Sequence, residues 1–261
     1  MQVIIRPTRE EASKLVARSI AKAVRAKPDL VLGLATGVTM ERLYAQLVEL
    51  HGREKLDFSL VRTFNLDEYV GLTAEDERSY HHYMRKHLFS RINIDLRNTH
   101  LLDGMAKDME AECRRYEETI SRCDGIDLQI LGIGRVGHIG FNEPLSALYS
   151  RTREKGLTPA TIEQNAKLFG GAGKVPRRAL TMGVGTILEC KRLLMLVTGD
   201  SKADILAKAV EGPITSMISA TAIQLHPDCV VVADEEAASK LVAKDYYRWL
   251  FENEPEWRDF R

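Results

Sequence analysis

Two short stretches of this sequence carry side chains that could move protons. In GHIGFNEP, which spans residues 137–144, His138 comes five residues before Glu143 on a glycine-rich loop. A carboxylate near an imidazole can orient it for general acid–base catalysis. In TFNLDEY, the adjacent carboxylates of Asp67 and Glu68 follow the apolar run at residues 60–66, a position that suits proton transfer to a bound substrate. Alone, His138 also fits a structural hydrogen-bonding role, and the acidic pair fits a solvated turn.

A third stretch, LATGVT, has the features of an anion-binding site. It ends the apolar run at residues 29–35 and leads into a predicted helix. Backbone N–H groups at the start of a helix attract anions, and the hydroxyl groups of Thr36 and Thr39 add further donors. Thr39 could instead serve only as the helix cap.

The loop at residues 130–144 contains Gly132-x-Gly134-x-x-Gly137, which is the spacing of a dinucleotide-binding loop. Such a loop must open a helix at its third glycine. Here Gly140 disfavours a helix and Pro144 interrupts one, and no acidic residue follows a second strand at the expected spacing. The sequence therefore predicts a catalytic loop in which glycine permits a sharp turn and a close approach to a ligand, not a nicotinamide cofactor site.

The elements that must position these motifs alternate along the chain. This alternation predicts an α/β fold, a mostly parallel sheet with helices on both faces. Ligands bind such sheets at the carboxyl ends of the strands, where each motif falls. We expect one domain over residues 1–261. Strands are predicted at residues 29–35, 60–66, 126–131, 192–197 and 229–233, and helices at residues 10–27, 40–51, 78–92, 108–122, 201–211 and 235–243.

Residues 151–176 are polar and show no regular pattern, and they include two adjacent glycines at Gly170 and Gly171. A polar, glycine-containing segment of this length is typical of a lid that closes over a ligand, and it also fits a surface loop with no role. We expect a lid at residues 151–176.

Composition excludes several classes of partner. The chain has 37 Lys and Arg against 37 Asp and Glu, so no global charge favours nucleic acid or an anionic membrane. The apolar runs are too short to span a bilayer, and the amino terminus lacks the pattern of a secretory signal. The four cysteines are widely spaced, which predicts reduced thiols in a cytoplasmic protein and no metal site.

Taken together, the motifs closely resemble those of glucosamine-6-phosphate deaminases. The resemblance rests on TFNLDEYVGL, GHIGFNEP followed by SRTR, ALTMGVGT and QLHP, and it extends from the first strand to about Asp234. It implies a modified Rossmann-like fold, no cofactor and no metal. The implied reaction converts glucosamine 6-phosphate and water to fructose 6-phosphate and ammonia. It also implies that His138 promotes ring opening, that Glu143 orients it, and that Asp67 moves a proton between C2 and C1.

The resemblance further implies how the amino-sugar phosphate is held. The family's phosphate loop matches Thr36–Thr39, and a family lysine matches Lys202. A phosphate-binding arginine of the family's lid matches Lys167, which keeps the charge and loses the bidentate geometry. Gly137 is placed among the substrate-binding residues because a glycine lets the backbone approach a ligand.

Two positions depart from the family pattern at its glycine loops. Val136 replaces an aspartate that serves as a second carboxylate partner of the histidine, and valine cannot accept a hydrogen bond. Val38 replaces a residue that is usually glycine, small or basic, and a β-branched residue there would resist positive φ and crowd an anion. We therefore expect an active enzyme with lowered or altered activity.

Some family members are activated by an amino-sugar phosphate at a subunit interface. Ser146, Arg153 and Lys155 match the residues of that site, whereas Gly156 replaces a threonine. The same basic residues also fit a solvated strip. A homo-oligomer is expected from the resemblance. The alternatives are a galactosamine-6-phosphate deaminase, a 6-phosphogluconolactonase, which would not need the Asp67–Glu68 pair, and a sugar-phosphate sensor without turnover.

Overall fold

The computed structural model covers residues 1–261 and contains two β-sheets. A seven-stranded sheet is parallel throughout, and a separate three-stranded sheet is antiparallel. The strands are β1 (Gln2–Arg6), β2 (Val31–Leu34), β3 (Arg62–Asn65), β4 (Asp67–Tyr69), β5 (Thr99–His100), β6 (Leu128–Leu131), β7 (Arg153–Gly156), β8 (Arg178–Thr181), β9 (Leu193–Val197) and β10 (Cys229–Asp234).

Eight α-helices connect and cover these strands. The longest, α1, carries its buried residues at helical spacing, and the Thr8 side chain caps it by accepting from the Glu11 N–H. No helix in the structure combines the length and apolar character needed to cross a bilayer. The helices are α1 (Arg9–Ala26), α2 (Val38–Glu54), α3 (Tyr80–His87), α4 (Met109–Arg122), α5 (Pro159–Phe169), α6 (Val184–Leu188), α7 (Ala203–Glu211) and α8 (Lys244–Asn253).

The large sheet has the order β1-β10-β9-β6-β2-β3-β5. From β2 the chain moves outward to β3, whereas from β6 it moves the other way to β9, so the winding reverses between β2 and β6. Loops that leave the carboxyl ends of two strands at such a reversal separate and create a crevice for a ligand. The LATGVT loop follows β2 and the glycine loop follows β6, so the predicted α/β fold places both motifs at this crevice.

The small sheet, in the order β4-β8-β7, was not predicted from the sequence. Asp67–Tyr69 is a strand of its own, and residues 151–176 contain β7 and α5 where no regular structure was expected. The prediction that this segment is irregular is therefore wrong. So is the predicted helix at residues 235–243, which form turns before α8 begins at Lys244.

The buried apolar residues form two clusters, one at each sheet. A main core of 63 buried residues surrounds the large sheet. A second cluster of eight buried residues lies at the small sheet and includes Tyr69, Phe141 and Phe169. Because Phe141 belongs to the GHIGFNEP loop, this second cluster ties the loop and α5 to the small sheet.

Candidate active site

A cavity of about 260 Å³ opens at the carboxyl ends of the central strands. A larger groove of about 700 Å³ lies between α4 and β7, but its lining is mostly charged surface residues and includes none of the predicted proton-transfer groups. We assign the active site to the smaller cavity because it brings together residues from all three sequence motifs. Those predicted from the sequence are Thr36, Gly37, Val38, Thr39, Asp67, His138 and Lys202.

Asp67 lies in this cavity at the start of β4, and its carboxylate is buried. Burial, and then the negative charge of Glu68, raise its pKa from 3.8 to about 8. A carboxylate with this pKa can exist in either protonation state near neutral pH, which is what a group that both takes and returns a proton requires.

Glu68 has a different role although it is the next residue. Its carboxylate is fully buried and accepts hydrogen bonds from the backbone N–H groups of Tyr69, Tyr80 and His81 at 2.8–3.0 Å. The His81 Nδ1 atom lies 2.9 Å from it as well. Since Tyr80 and His81 begin α3, Glu68 neutralises the start of that helix and has no free oxygen for a substrate.

His138 and Glu143 face each other within the loop after β6. The His138 Nδ1 atom lies 3.4 Å from Glu143 Oε2, and neither atom has a well-formed hydrogen bond to any other protein group. Glu143 Oε1 accepts from the Thr158 N–H at 3.2 Å. Burial acts to raise the pKa of Glu143, but the contacts with His138, Thr161 and Thr158 outweigh it and hold the pKa below its usual value. Glu143 is thus an ionised carboxylate beside the imidazole.

The start of α2 forms one end of the cavity. Gly37 is the N-cap residue with a φ of 112°, and no side chain caps the first N–H groups of the helix. An uncapped helix start offers these N–H groups to an anion. The alternative reading, in which Thr39 caps the helix, is therefore wrong.

Val38 is the first residue of α2, and the positive φ belongs to Gly37. The expectation that a β-branched residue at position 38 would be strained by positive φ is wrong. The Val38 side chain is 83% exposed, so it lies at the mouth of the cavity.

The cation of the site is Lys202, which follows β9. Its Nζ atom donates to the Ile133 carbonyl at 2.7 Å, and burial, with the nearby charge of Arg135, lowers its pKa. Lys167, in contrast, lies on the exposed side of α5 and does not line the cavity. From α5 the cavity is lined instead by Gln164 and Asn165.

Gly137 also lies outside the cavity. A side-chain carbon at this position would come within 2.5 Å of Ile218 and 2.8 Å of Ile205, and its φ is 83°. The structure therefore gives Gly137 a conformational role, in which it lets the loop turn against α7 and its neighbour Ile218. The substrate-binding role expected for it is not supported.

Val136 and the residues predicted for allosteric control also lie apart from the cavity. Ser146 is buried, and its hydroxyl donates to the Glu143 carbonyl at 2.7 Å while it accepts from Arg153 at 3.1 Å. Lys155 lies two residues beyond Arg153 on β7 and is half-buried. An effector could reach the Ser146 hydroxyl only if these contacts opened, so the allosteric role stays a prediction.

Tyr80 is a cavity residue that the sequence analysis did not assign to the site. Its ring stacks on Phe141 with an interplanar angle of 10°, and its hydroxyl lies 3.4 Å from that of Tyr69. Burial, and then Tyr69 and Asp67, raise the pKa of Tyr80, so the hydroxyl stays protonated beside Asp67. Tyr80 lies 12 residues after Glu68 in the sequence (80 − 68), so no local pattern indicates that it packs beside the acidic pair. No group of three or more His, Cys, Asp or Glu side chains is placed to hold a metal ion.

Comparison with known proteins identifies the family. Residues 8–232 match the family model described as glucosamine-6-phosphate isomerases/6-phosphogluconolactonase. The chain belongs to this family.

The chain is similar in sequence to known proteins over nearly its whole length. A glucosamine-6-phosphate deaminase of Thermoanaerobacter pseudethanolicus is 46% identical over 245 residues, which cover 94% of this chain and 97% of the relative. One from Shewanella loihica is 49% identical over 250 residues, covering 96% and 93%. A solved structure of a monomeric glucosamine-6-phosphate deaminase is 47% identical, with a TM-score of 0.90, over 92% of this chain and 100% of that one.

The chain also shares its fold with proteins of much lower sequence identity. A 6-phosphogluconolactonase from Leishmania guyanensis matches with a TM-score of 0.70 at 20% identity, over 90% of this chain and 97% of that one. This likeness shows a shared fold alone. The modified Rossmann-like α/β fold expected from the sequence is confirmed by the match at a TM-score of 0.90.

Proposed function

We propose that this chain is a glucosamine-6-phosphate deaminase, which converts glucosamine 6-phosphate and water to fructose 6-phosphate and ammonia. One observation carries the proposal. A single cavity is lined by a buried carboxylate with a raised pKa, a histidine with Glu143 behind its ring, an uncapped helix start and a lysine. Relatives 46–49% identical over nearly the full length carry this name, which supports it.

Ring opening is the first step of the proposed reaction. His138 transfers a proton from the C1 hydroxyl to the ring oxygen, which breaks the C1–O5 bond and leaves an open-chain aldehyde. The imidazole carries positive charge during this transfer, and the ionised Glu143 at 3.4 Å stabilises it.

Isomerisation and deamination follow. The Asp67 carboxylate takes the proton from C2, the aldehyde oxygen gains a proton, and a C1=C2 enolamine forms. Asp67 then returns the proton to C1, which leaves an iminium at C2. Water adds to C2, and collapse of the adduct expels ammonia, leaves the ketone of fructose 6-phosphate and returns to the solvent the proton that the aldehyde oxygen gained from it.

The phosphate end of the substrate fits the opposite end of the cavity. The N–H groups at the start of α2, the hydroxyls of Thr36 and Thr39, and the Lys202 ammonium form a site for a dianion. With zero net charge on the chain, this local site must supply the attraction.

The direct test is ammonia release from glucosamine 6-phosphate by the purified protein, with fructose 6-phosphate measured in parallel. Equal amounts of both products are expected. Galactosamine 6-phosphate and 6-phosphogluconolactone are run beside it as the alternative substrates. Turnover of the lactone with none of the amino sugar would contradict the proposal, and binding of glucosamine 6-phosphate without turnover would favour a sensor.

We further infer that the protein acts in the cytoplasm on a small-molecule amino-sugar phosphate. All four cysteines are free thiols, three of them buried, which fits a reducing compartment. The expected homo-oligomer stays a prediction, and a 47% identical relative is described as monomeric. Light scattering on the eluted protein measures the state directly.

A further inference from the structure

The small sheet aligns three side chains in one row. Asp67 on β4 pairs directly with Thr181 on β8, and Thr181 pairs directly with Arg153 on β7. Directly opposite residues of an antiparallel sheet project their side chains to the same face. Asp67, Thr181 and Arg153 therefore share a face.

The GHIGFNEP loop is fastened to this row. The Phe141 N–H donates to Thr181 Oγ1 at 3.0 Å. Arg153 donates through Nη1 to Asn142 Oδ1 at 2.9 Å and through Nη2 to Ser146 Oγ at 3.1 Å. These two acceptors lie on either side of Glu143 in the sequence, so one guanidinium group bridges the loop around the carboxylate that faces His138.

Arg153 is half-buried and has no carboxylate partner in the structure, unlike its neighbours. Arg151 pairs with Glu117 and Glu189, and Arg178 pairs with Glu154. Burial lowers the pKa of Arg153, which is the consequence of removing a cation from water without a compensating anion. The planar fork of an arginine matches two acceptors at fixed separation, which lysine cannot do.

We infer that Arg153 is a positioning residue for catalysis, which holds Glu143 in the orientation that His138 needs. The inference rests on the proposed deaminase function. Arg153 does not line the active-site cavity and borders instead the groove between α4 and β7, so it acts through the loop and not on the substrate.

The test compares Arg153→Ala with Arg178→Ala, a control that removes an exposed arginine from the adjacent strand. We expect Arg153→Ala to lower kcat about 10- to 100-fold with KM changed less than about 3-fold, because displacement of a catalytic group costs rate more than binding. Arg178→Ala should keep parent kinetics. Guanidinium ion added to Arg153→Ala should restore part of kcat, and Arg153→Lys should lie between the two.

A second comparison separates positioning from simple destabilisation. In a Glu143→Gln background, Arg153→Ala should lower kcat by less than about 2-fold, because the group that it positions is already disabled. An equal loss in both backgrounds, or parent kcat in Arg153→Ala, would overturn the inference.

The ¹⁵N chemical shifts of the His138 ring provide a readout that needs no turnover. We expect the parent to carry its proton on Nδ1, facing Glu143, and Arg153→Ala to show a mixture of tautomers. Unchanged shifts would contradict the positioning role. If the parent releases no ammonia, the proposed function fails, and the ring shifts still decide whether Arg153 orients the pair.

Discussion

Asp67 and Glu68 show how two identical functional groups acquire opposite roles at neighbouring positions. Glu68 accepts three backbone hydrogen bonds at the start of α3, whereas Asp67 faces the cavity and has a pKa of about 8. The negative charge of Glu68 contributes to the raised pKa of Asp67. A structural carboxylate thus helps to raise the pKa of the carboxylate that we propose carries the proton.

Asp67→Asn is expected to abolish ammonia release and leave sugar-phosphate binding largely intact. General acid–base groups contribute about 10²–10⁴-fold, and asparagine cannot take a proton from carbon. In the parent, kcat/KM should fall as the pH drops below about 8, because Asp67 must be ionised to abstract the C2 proton. Steady-state ammonia release between pH 6 and 9, about the range that brackets this titration, measures both effects. Near-parent turnover in the variant would show that Asp67 does not carry the proton.

The same substitution should raise stability in a pH-dependent manner. Because the folded pKa of Asp67 is above its ordinary 3.8, the folded protein holds this proton more tightly than the unfolded chain does. The free energy of unfolding of the parent protein therefore falls as the pH rises from about 4 to about 8. Asparagine does not titrate, so the gain in Tm over the parent should be larger at pH 9 than at pH 5, values on either side of about 8. A gain that is equal at both pH values would contradict the raised pKa.

Val136→Asp tests the largest departure from the family pattern. The structure pairs His138 with Glu143 alone, so a second carboxylate in the same loop should stabilise the protonated imidazole during ring opening. We expect kcat to rise about 10-fold or more, within the ~1–4 powers of ten that such partners span. Val136→Asn serves as the uncharged control. Equal kcat in the parent and in Val136→Asp would show that the second carboxylate is dispensable.

At the scale of elements, the start of α2 and the segment after β9 both line the end of the cavity that we propose holds the phosphate. The Tyr83 hydroxyl donates to the Gly37 carbonyl at 2.8 Å, so α3 supports the turn before α2. Glu68 in turn holds the start of α3. The loop proposed to bind the phosphate is therefore supported, through α3, by the same carboxylate that helps to raise the pKa of Asp67.

Lys202→Ala and Lys167→Ala should behave differently although both remove one lysine. Lys202 lines the cavity, so Lys202→Ala should raise KM for glucosamine 6-phosphate about 10- to 100-fold, the cost of a lost charged hydrogen bond. Lys167 is exposed on α5, so Lys167→Ala should change KM less than about 2-fold. If Lys167→Ala raises KM as strongly as Lys202→Ala, then α5 turns this lysine inward when the substrate binds.

Gly37→Ala and Val38→Gly separate backbone strain from crowding in the same turn. A methyl group at Gly37 would meet no atom within 4 Å, but a φ of 112° strains any residue other than glycine. Gly37→Ala should therefore shift the turn and raise KM. Val38→Gly should leave KM near the parent value because the valine side chain is exposed. Tighter binding by Val38→Gly would instead show that the valine crowds the phosphate.

At the scale of the whole molecule, the two apolar clusters differ greatly in size. The main core has 63 buried residues, and the cluster at the small sheet has eight. Small clusters open at lower free energy than the central core of a domain. The segment at residues 151–176 contains β7 and α5, and α5 packs on the smaller cluster, so its role as a lid stays a prediction.

Hydrogen exchange should detect this difference between the two clusters. We expect amides of α5 to exchange faster than those of the central strands, and to slow when fructose 6-phosphate binds. Phe169→Ala removes a buried ring of the small cluster and should speed exchange in α5 while β2, β6 and β9 keep parent rates. Uniform acceleration across both clusters would show that they unfold together.

Local patterns in the sequence were sufficient for the elements whose side chains repeat on one face. The helix predicted at residues 10–27 is observed at Arg9–Ala26, and the strand predicted at residues 192–197 is observed at Leu193–Val197. The motifs also singled out Asp67 and His138, which the structure brings to one cavity, Asp67 at the start of a strand that was not predicted and His138 in the loop after β6. Each of these predictions depends on periodicity or on residues close together in the chain.

Only the tertiary structure decided what those residues do. The difference between Asp67 and Glu68 arises because α3 folds back onto one carboxylate and leaves the other in the cavity. The contacts of Arg153 with Asn142 and Ser146 depend on its pairing with Thr181, 28 positions away along the chain (181 − 153). Strand register and burial are set by contacts between distant segments, and a raised pKa is set by the water that those contacts exclude, so no local pattern of residues encodes either of them.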